Sequence, residues 1–197
     1  DFNKTSLFRA VEKENIEIIK LLLACNDDIN VNAINKSSSE LWNSEKTALF
    51  AAVEKENIEI IKLLLQNDKI DVNIVNNIDY TTGGGDMSYW YYTAIYESFE
   101  RENIEIVKLL LANANIDVNS DNEKHEDHQG GGDPNEGKFL KTLLYRAIEK
   151  ENIEIVKLLL TFEEIDIDII SSKEGKEDDD PVLWEKTALF KAVEKEN

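Results

Sequence analysis

The chain has 197 residues, of which 42% are hydrophobic and 32% charged, and its formal net charge is −19. The composition is typical of a soluble protein, and no apolar run approaches the roughly 18 residues that a membrane span needs. The single cysteine, Cys25, excludes a disulfide framework and predicts a reducing, cytoplasmic compartment. The negative charge opposes binding to nucleic acid or anionic lipid and favours a protein partner with a basic surface, although it also promotes solubility.

A short helix is predicted to begin after Thr5. Leu7, Phe8 and Val11 are spaced so that one side of such a helix is apolar. The Thr5 hydroxyl is suited to accept a hydrogen bond from an N–H at the helix start. Asn15 then interrupts the pattern. Because asparagine tolerates the left-handed conformation that ends a helix and also caps helix starts, we predict that Asn15 closes this helix and opens the next.

A second helix follows, and it is apolar nearly all round, as expected for a helix packed between neighbours. Its tail, Ile29-Asn-Val-Asn32, alternates apolar and polar residues, which predicts a short extended segment. Helices this short are marginal in isolation, so stacking must stabilise them.

This repeat occurs four and a half times, with starts near residues 5, 47, 93, 142 and 187. Spacers at 33–46, 74–92, 120–141 and 169–186 separate the copies and contain every glycine and proline. Such strict repetition predicts one domain, residues 1–197, in which each copy buries its apolar side against its neighbours. The fifth copy stops after its first helix, which indicates a piece of a longer protein.

The repeat resembles the ankyrin repeat. Its Thr-x-Leu-x-x-Ala opening, its Ile-Glu-Ile-(Ile/Val)-Lys-Leu-Leu-Leu helix and its Asp-Val-Asn tail match that family in order and spacing. The resemblance implies an all-α solenoid of stacked helix-turn-helix repeats with extended hairpin-like loops. It also implies protein binding through the loop tips and the concave face of the first helices. The chain departs from the family by lacking its usual proline and histidine after the opening Thr and its usual Gly-His turn, and by its longer period.

Differences between the copies indicate where recognition lies. Tyr89, Tyr91 and Tyr92 have no counterpart in the other spacers. One position of the first helix also changes character, being Arg9, Ala51, Glu97, Arg146 and Lys191 in the successive copies. We therefore hypothesise a partner surface that contains the three tyrosines, Glu97 and Arg146, the alternative being plain solvent exposure.

An aromatic residue precedes every copy, the set being Phe2, Trp42, Trp90, Phe139 and Trp184. Tryptophan is common in binding hot spots. A recurring position nevertheless favours a recurring packing role, so we interpret these residues as loop plugs rather than binding anchors.

Several spacer patterns resemble ligand sites without their defining residues. Residues 83–86 and 130–133, both Gly-Gly-Gly-Asp, lack the Gly-Lys-Ser/Thr ending of a P-loop and are interpreted as flexible insertions. His125-Glu-Asp-His128 has metal-binding side chains but nothing to orient its imidazoles. Residues 177–180 lack the closing glutamate of a calcium loop. We therefore expect no metal and no cofactor.

With no Ser/His/Asp or Cys/His arrangement, the sequence predicts a protein that is not an enzyme. The favoured function is a non-catalytic protein–protein interaction module or scaffold. One alternative is a regulatory or targeting ankyrin segment of a larger multidomain enzyme or channel. Another is metal sensing by the acidic spacers, which a thermal melt with and without calcium or zinc would detect.

Overall fold

The computed structural model describes residues 4–25, 29–38, 42–81, 87–127, 139–177 and 180–196. The chain divides into two compact units. The first contains residues 1–79 and 92–116, and the second contains residues 80–91 and 117–197. The boundary runs through the second spacer and through the tail of the third repeat, so it divides no helix pair, and the two compact units are described separately below.

The predicted helix pairs are confirmed. The helices of the described residues are α1 (Ser6–Glu12), α2 (Ile16–Ala24), α3 (Ala48–Glu54), α4 (Ile58–Leu65), α5 (Ala94–Glu100), α6 (Ile104–Leu111), α7 (Leu143–Glu149), α8 (Ile153–Leu159) and α9 (Ala188–Glu196). Odd-numbered helices open a repeat, and even-numbered helices follow the turn. Each opening threonine caps its helix as predicted, for example Thr5, whose hydroxyl accepts the Phe8 N–H at 3.2 Å.

The turn between paired helices differs from the prediction at one residue. Asn15 caps α2, its side chain accepting the Ile18 N–H at 3.0 Å, but its φ is −87°. The left-handed residue is Glu14, with φ of 53°, and its equivalents Glu56, Glu102 and Glu151 share this conformation. The Glu14 N–H donates to Val11 and the Asn15 N–H to Ala10, which is the Schellman arrangement. The prediction was therefore right for the start of α2 and wrong for the end of α1, because capping requires a different backbone conformation at Asn15.

The tail of each repeat is a turn, so the predicted extended segment was wrong. The Asn32 N–H donates to the side-chain oxygen of Asn30 at 3.1 Å, a local bond that folds the backbone back. The same Asx turn recurs at Asp71–Asn73, Asp117–Asn119 and Asp166–Asp168. The middle valine is buried in the first three repeats. The two-residue alternation therefore reflects one apolar residue buried between two polar turn residues.

The spacers form β-strands. The strands are β1 (Asn35–Ser38), β2 (Trp42–Lys46), β3 (Asn76–Thr81), β4 (Met87–Tyr92), β5 (Asp121–Asp127), β6 (Phe139–Thr142), β7 (Ser171–Glu177) and β8 (Asp180–Lys186). In the first compact unit β1 and β2 are antiparallel, with Asn35 opposite Lys46. In the second, each strand from β4 to β8 is antiparallel to the next. The hairpin-like loops are thus hydrogen-bonded strands that extend from the helix pairs.

Each compact unit has its own core. In the first, α3 packs between α1 and α5, and α2 packs on α4. Phe50, Phe99 and Ile60 are fully buried there. In the second, α7 packs on α8 and α9 and buries Leu144 and Ala147. Within the part of the chain that the structure describes, no helix has the length and apolar character needed to cross a membrane.

Candidate functional site

A buried asparagine joins the start of a repeat to the spacer that follows it. In the second repeat, Asn76 Oδ1 accepts the Thr47 N–H at 2.8 Å and the Thr47 hydroxyl at 3.2 Å. In the first repeat, Asn35 Oδ1 accepts the Thr5 N–H at 2.6 Å. Both asparagines are only 1% exposed, and Thr47 is 4% exposed, so in the second repeat the asparagine satisfies a backbone N–H that is shielded from water. Asn122 occupies the equivalent position of the third repeat, and we refer to these three residues as the hairpin asparagines.

The hairpin asparagines are not among the predicted site residues, although the sequence carries a signal for them. Each lies 29 or 30 residues after the threonine that opens its repeat, for example 30 residues from Thr5 to Asn35. The fourth repeat has Ser171 in this position. Ser171 is buried, and its hydroxyl forms no hydrogen bond within the described residues. The fourth repeat therefore lacks the amide that bridges spacer and helix in the first two.

A second recurring arrangement consists of a lysine, an aromatic ring and a glutamate. Lys46 Nζ lies 2.7 Å from Glu54 Oε1 and 5.9 Å from the centre of the Phe50 ring. The equivalent residues are Lys4, Phe8 and Glu12 in the first repeat, Lys141, Tyr145 and Glu149 in the fourth, and Lys186, Phe190 and Glu194 in the fifth. We call this the lysine–ring–glutamate cluster. It attaches the end of a spacer to the first helix through one ion pair and one cation–π contact.

The third repeat replaces this cluster. Tyr92 stands where the other repeats have lysine, and its ring centre lies 5.0 Å from that of Tyr96. The Tyr92 side chain is 6% exposed. Two tyrosine rings therefore replace the lysine and ring of the other repeats. This replacement lies in the first compact unit, and Tyr92 is one of the five predicted site residues.

Glu97 lies on α5, the helix that contains Tyr96, and is 8% exposed. Its Oε1 accepts a hydrogen bond from Arg101 Nε at 2.7 Å. Burial raises the pKa of the Glu97 carboxyl, and the Arg101 hydrogen bond offsets only part of that effect. The predicted site residues Tyr92 and Glu97 are thus placed beneath the surface of the first compact unit.

Arg146 is half-buried in α7 of the second compact unit and forms an ion pair with Glu149. Glu149 also accepts hydrogen bonds from Lys141 at 2.9 Å through both carboxylate oxygens. Burial opposes ionisation of Glu149, but the hydrogen bonds from the two cations outweigh it and lower the pKa of this carboxyl. The guanidinium group of Arg146 is therefore held in place by Glu149, a residue of the same helix.

Tyr89 and Tyr91 lie on β4 in the second compact unit. Tyr91 is half-buried, and it lies opposite Glu123 in the register of β4 and β5. Tyr89 lies opposite His125, and its side chain is outside the described residues. The structure thus assigns three of the five predicted site residues, Tyr89, Tyr91 and Arg146, to this compact unit.

Neighbouring repeats are also joined by polar contacts that sequence analysis did not identify. Glu14 accepts hydrogen bonds from Asn57 Nδ2 at 2.9 Å and from Lys55 Nζ at 3.3 Å. The Asn57 hydrogen bond is the main cause that lowers the pKa of the Glu14 carboxyl. Glu56 accepts in the same way from Asn103 at 2.8 Å. Glu14 and Glu56 therefore each bind the asparagine that caps the second helix of the next repeat.

The turn residues of the tails add a further junction. Asn32 donates to the carbonyl of Lys69 at 2.8 Å and accepts the Asp71 N–H at 2.9 Å. Asn119 makes the same two bonds with Glu164 and Asp166. Identical side chains recur in the repeats because each must satisfy the same backbone groups of its successor.

Most of the other candidate sites from the sequence lie outside the described part of the chain. These are the two Gly-Gly-Gly-Asp segments at 83–86 and 130–133, His128, and residues 178 and 179 in the middle of the acidic run. Trp90 is half-buried, whereas the side chains of the other aromatic residues that precede repeats are not described. Among the described residues, no group of three His, Cys, Asp or Glu side chains is arranged to bind a metal ion. Cys25 is exposed at the end of α2.

Known proteins resemble the chain in sequence pattern and in fold. A family model described as ankyrin repeats (3 copies) matches residues 1–76 and again residues 77–171. The fold is similar to the crystal structure of the ankyrin repeat domain of Bcl-3, described as a unique member of the IkappaB protein family, with a TM-score of 0.57. The two chains are 21% identical over 98% of this chain and 66% of the other, so this chain spans just under two thirds of that domain. No curated protein matches the sequence.

Proposed function

Because the chain belongs to the ankyrin-repeat family, whose members are generally protein–protein interaction modules, we propose that it is a non-catalytic module that binds a partner through its inter-repeat hairpins and the exposed side of its first helices. The family and the helix-pair fold predicted from the sequence are thereby confirmed. The surface and the partner are the proposal.

The observation that carries the proposal is Tyr92. The scaffold uses a lysine at this position in four repeats, where it forms the lysine–ring–glutamate cluster. A tyrosine cannot form that ion pair, so the third repeat has given up a recurring stabilising contact. Tyr89 and Tyr91 lie on the same strand as this exception. Because tyrosine is enriched at protein interfaces, they support specialisation of this spacer for recognition.

The five predicted residues then take two kinds of role. Tyr89, Tyr91 and Arg146 are the residues that contact the partner. Tyr92 and Glu97 are buried in the first compact unit, where Tyr92 packs on Tyr96 and Glu97 pairs with Arg101.

The charge of the chain supports a partner with a basic surface. At a net charge of −19, long-range attraction accelerates encounter with such a surface and repels nucleic acid. The affinity should therefore fall as the salt concentration rises.

The test compares the partners that bind wild-type protein with those that bind Tyr91→Ala and Arg146→Glu, each affinity being measured with purified components. Lys62→Ala is the matched control, because Lys62 is exposed on a second helix. We expect about fivefold or greater weakening for Tyr91→Ala, since tyrosine is enriched among the interface residues whose truncation costs more than about 1 kcal/mol, and about 1.4 kcal/mol corresponds to tenfold. If Tyr91→Ala, Arg146→Glu and Glu97→Arg leave every partner bound as tightly as Lys62→Ala does, the proposed surface is wrong.

A further inference from the structure

One row of residues across the sheet of the second compact unit alternates aromatic residues with lysines. The strands from β4 to β8 are paired so that each member lies directly opposite the next, the row being Trp90, Lys124, Phe139, Lys173 and Trp184. Residues directly opposite each other in antiparallel strands share a face of the sheet. We call this set the aromatic–lysine row, and the face of the sheet that contains it the row face.

The adjacent row of the sheet has the opposite charge. Its members are Tyr91, Glu123, Leu140, Ser172 and Glu185. Because successive residues of a strand belong to opposite faces, this second row lies on the other face of the sheet. It has two glutamates and no lysine, as expected in a chain whose net charge is −19. The aromatic–lysine row has two lysines and no carboxylate, so the two faces differ in charge along these rows.

The first helices add cations beside the aromatic–lysine row. Lys141 and Lys186 each follow an aromatic residue of the row by two positions, so they belong to the row face. Each pairs with a helix carboxylate that also holds a second cation, the sets being Lys141, Glu149 and Arg146, and Lys186, Glu194 and Lys191. The cations therefore exceed the carboxylates where the row face meets the helices.

The acidic residues of the row face lie farther from the helices. Glu126 is two residues beyond Lys124 on β5, and Glu177 and Asp180 are paired at the far end of β7 and β8. Like charges repel, so these carboxylates oppose binding of an anionic ligand toward the hairpin tips. The charge pattern thus favours an anionic ligand along the aromatic–lysine row itself.

The spacing of the two lysines in the row matches a peptide of one conformation. Lys124 on β5 and Lys173 on β7 are separated by two strand spacings, which corresponds to about 9.5 Å. A polyproline II helix has three residues per turn and rises about 3.1 Å per residue, so side chains three residues apart lie on one side at about 9.3 Å. Peptides in this conformation dock on surfaces lined by aromatic residues.

We propose that the aromatic–lysine row binds an acidic, proline-rich segment of a partner protein in the polyproline II conformation. Carboxylates three residues apart in that segment pair with Lys124 and Lys173, and the prolines between them pack on the aromatic residues of the row. The site is on the face of the sheet opposite Tyr91, so this proposal and the hairpin surface proposed above can fail independently.

The probe is the labelled peptide Glu-Pro-Pro-Glu-Pro-Pro-Glu, titrated with the full chain and followed by fluorescence anisotropy. We expect saturable binding of one peptide per chain that weakens as the salt concentration rises, because the contacts are between charges. The matched peptide Gln-Pro-Pro-Gln-Pro-Pro-Gln keeps the pattern without the charge and should not saturate. The isomer Glu-Glu-Glu-Pro-Pro-Pro-Pro keeps the charge without the spacing, and it should bind at least about threefold more weakly, since it loses one ion pair.

Variants of the protein locate the site. Lys124→Gln and Lys173→Gln should each weaken binding about threefold, the effect of one ion pair in contact with water, and the double variant about tenfold. Lys176→Gln is the matched control and should leave the affinity unchanged, because Lys176 lies on the same strand as Lys173 but on the other face. The proposal is overturned if the parent peptide does not saturate, if the glutamine peptide or the isomer binds equally, or if Lys176→Gln weakens binding as much as Lys173→Gln.

Discussion

Replacing Asn76 by alanine tests the contribution of the hairpin asparagines to stability. The Asn76 side chain is 1% exposed and makes contacts on both sides of the hairpin. Its oxygen accepts the N–H and hydroxyl of Thr47, and its Nδ2 donates to the carbonyls of Ile74 at 2.8 Å and Tyr92 at 3.2 Å. Alanine removes all four bonds and leaves backbone groups of Thr47 and Tyr92 buried without that partner.

The expected loss follows from those two backbone groups. A buried donor or acceptor that loses its partner costs about 1–3 kcal/mol. Two such groups, at Thr47 and Tyr92, give an expected decrease in the free energy of unfolding of about 2–6 kcal/mol. A change of this size is easily resolved, because single substitutions on protein surfaces usually stay within about 0.5 kcal/mol.

Urea unfolding followed by far-ultraviolet circular dichroism measures the difference. Asn77→Ala is the control, because Asn77 is half-buried and its side-chain oxygen accepts no hydrogen bond from the described residues. The control should change stability by less than about 0.5 kcal/mol. If Asn76→Ala loses no more than Asn77→Ala, the hairpin asparagines do not stabilise the fold in the way described.

Four further predictions concern single side chains. Ser171→Asn should raise the urea midpoint by the equivalent of about 1 kcal/mol, because it introduces a hairpin asparagine into the fourth repeat; no gain would contradict this. Glu56→Gly should be more stable than Glu56→Ala by about 1 kcal/mol, because both remove the carboxylate but only glycine adopts the left-handed conformation without strain. Equal stabilities would show that this backbone conformation carries no strain. The pKa of Glu97 is raised in the folded state, so folding favours the protonated carboxyl. The stability that this protonated form contributes is fully present at low pH and is lost as the pH rises through the folded-state pKa. Glu97→Gln should therefore stabilise the protein at pH 7 and lose that advantage below about pH 4, as urea midpoints across this range will show. The pKa of Glu149 is lowered, so Glu149→Gln should be destabilising at pH 7, and the difference should shrink as the pH falls through that pKa; a difference that stays constant with pH would contradict the assignment.

The helices were predictable from sequence because their signals are local. A capping threonine, an apolar stripe such as Leu7, Phe8 and Val11, and a capping asparagine each act within one or two turns. The structure places helices where those signals lie. The left-handed Glu14 was not predictable in this way, because its side chain binds Asn57 of the next repeat, 43 residues later.

The strands were not predictable as strands. Residues 121–127, Asp-Asn-Glu-Lys-His-Glu-Asp, have the composition of a loop, yet they form β5. Strand formation here depends on successive spacers lying side by side, with β5 between β4 and β6, and not on intrinsic preference. The spacers therefore take their structure from the neighbours that the helix pairs provide.

The burial of two predicted site residues also lay beyond sequence reasoning. Glu97 was interpreted as a surface residue because it is charged and varies between repeats. Its equivalent Ala51 is buried on α3, which packs between α1 and α5. Glu97 itself is buried on α5, where Arg101 is its ion-pair partner. The role of the five residues in binding remains a prediction.

Site-specific photo-crosslinking tests the central claim most directly. The photoreactive residue p-benzoylphenylalanine replaces Tyr91 in one protein and the exposed second-helix residue Lys62 in another. We predict that position 91 crosslinks to a protein partner and that position 62 does not. Crosslinking of the same partner at position 62 but not at position 91 would contradict binding through the hairpins and the first helices.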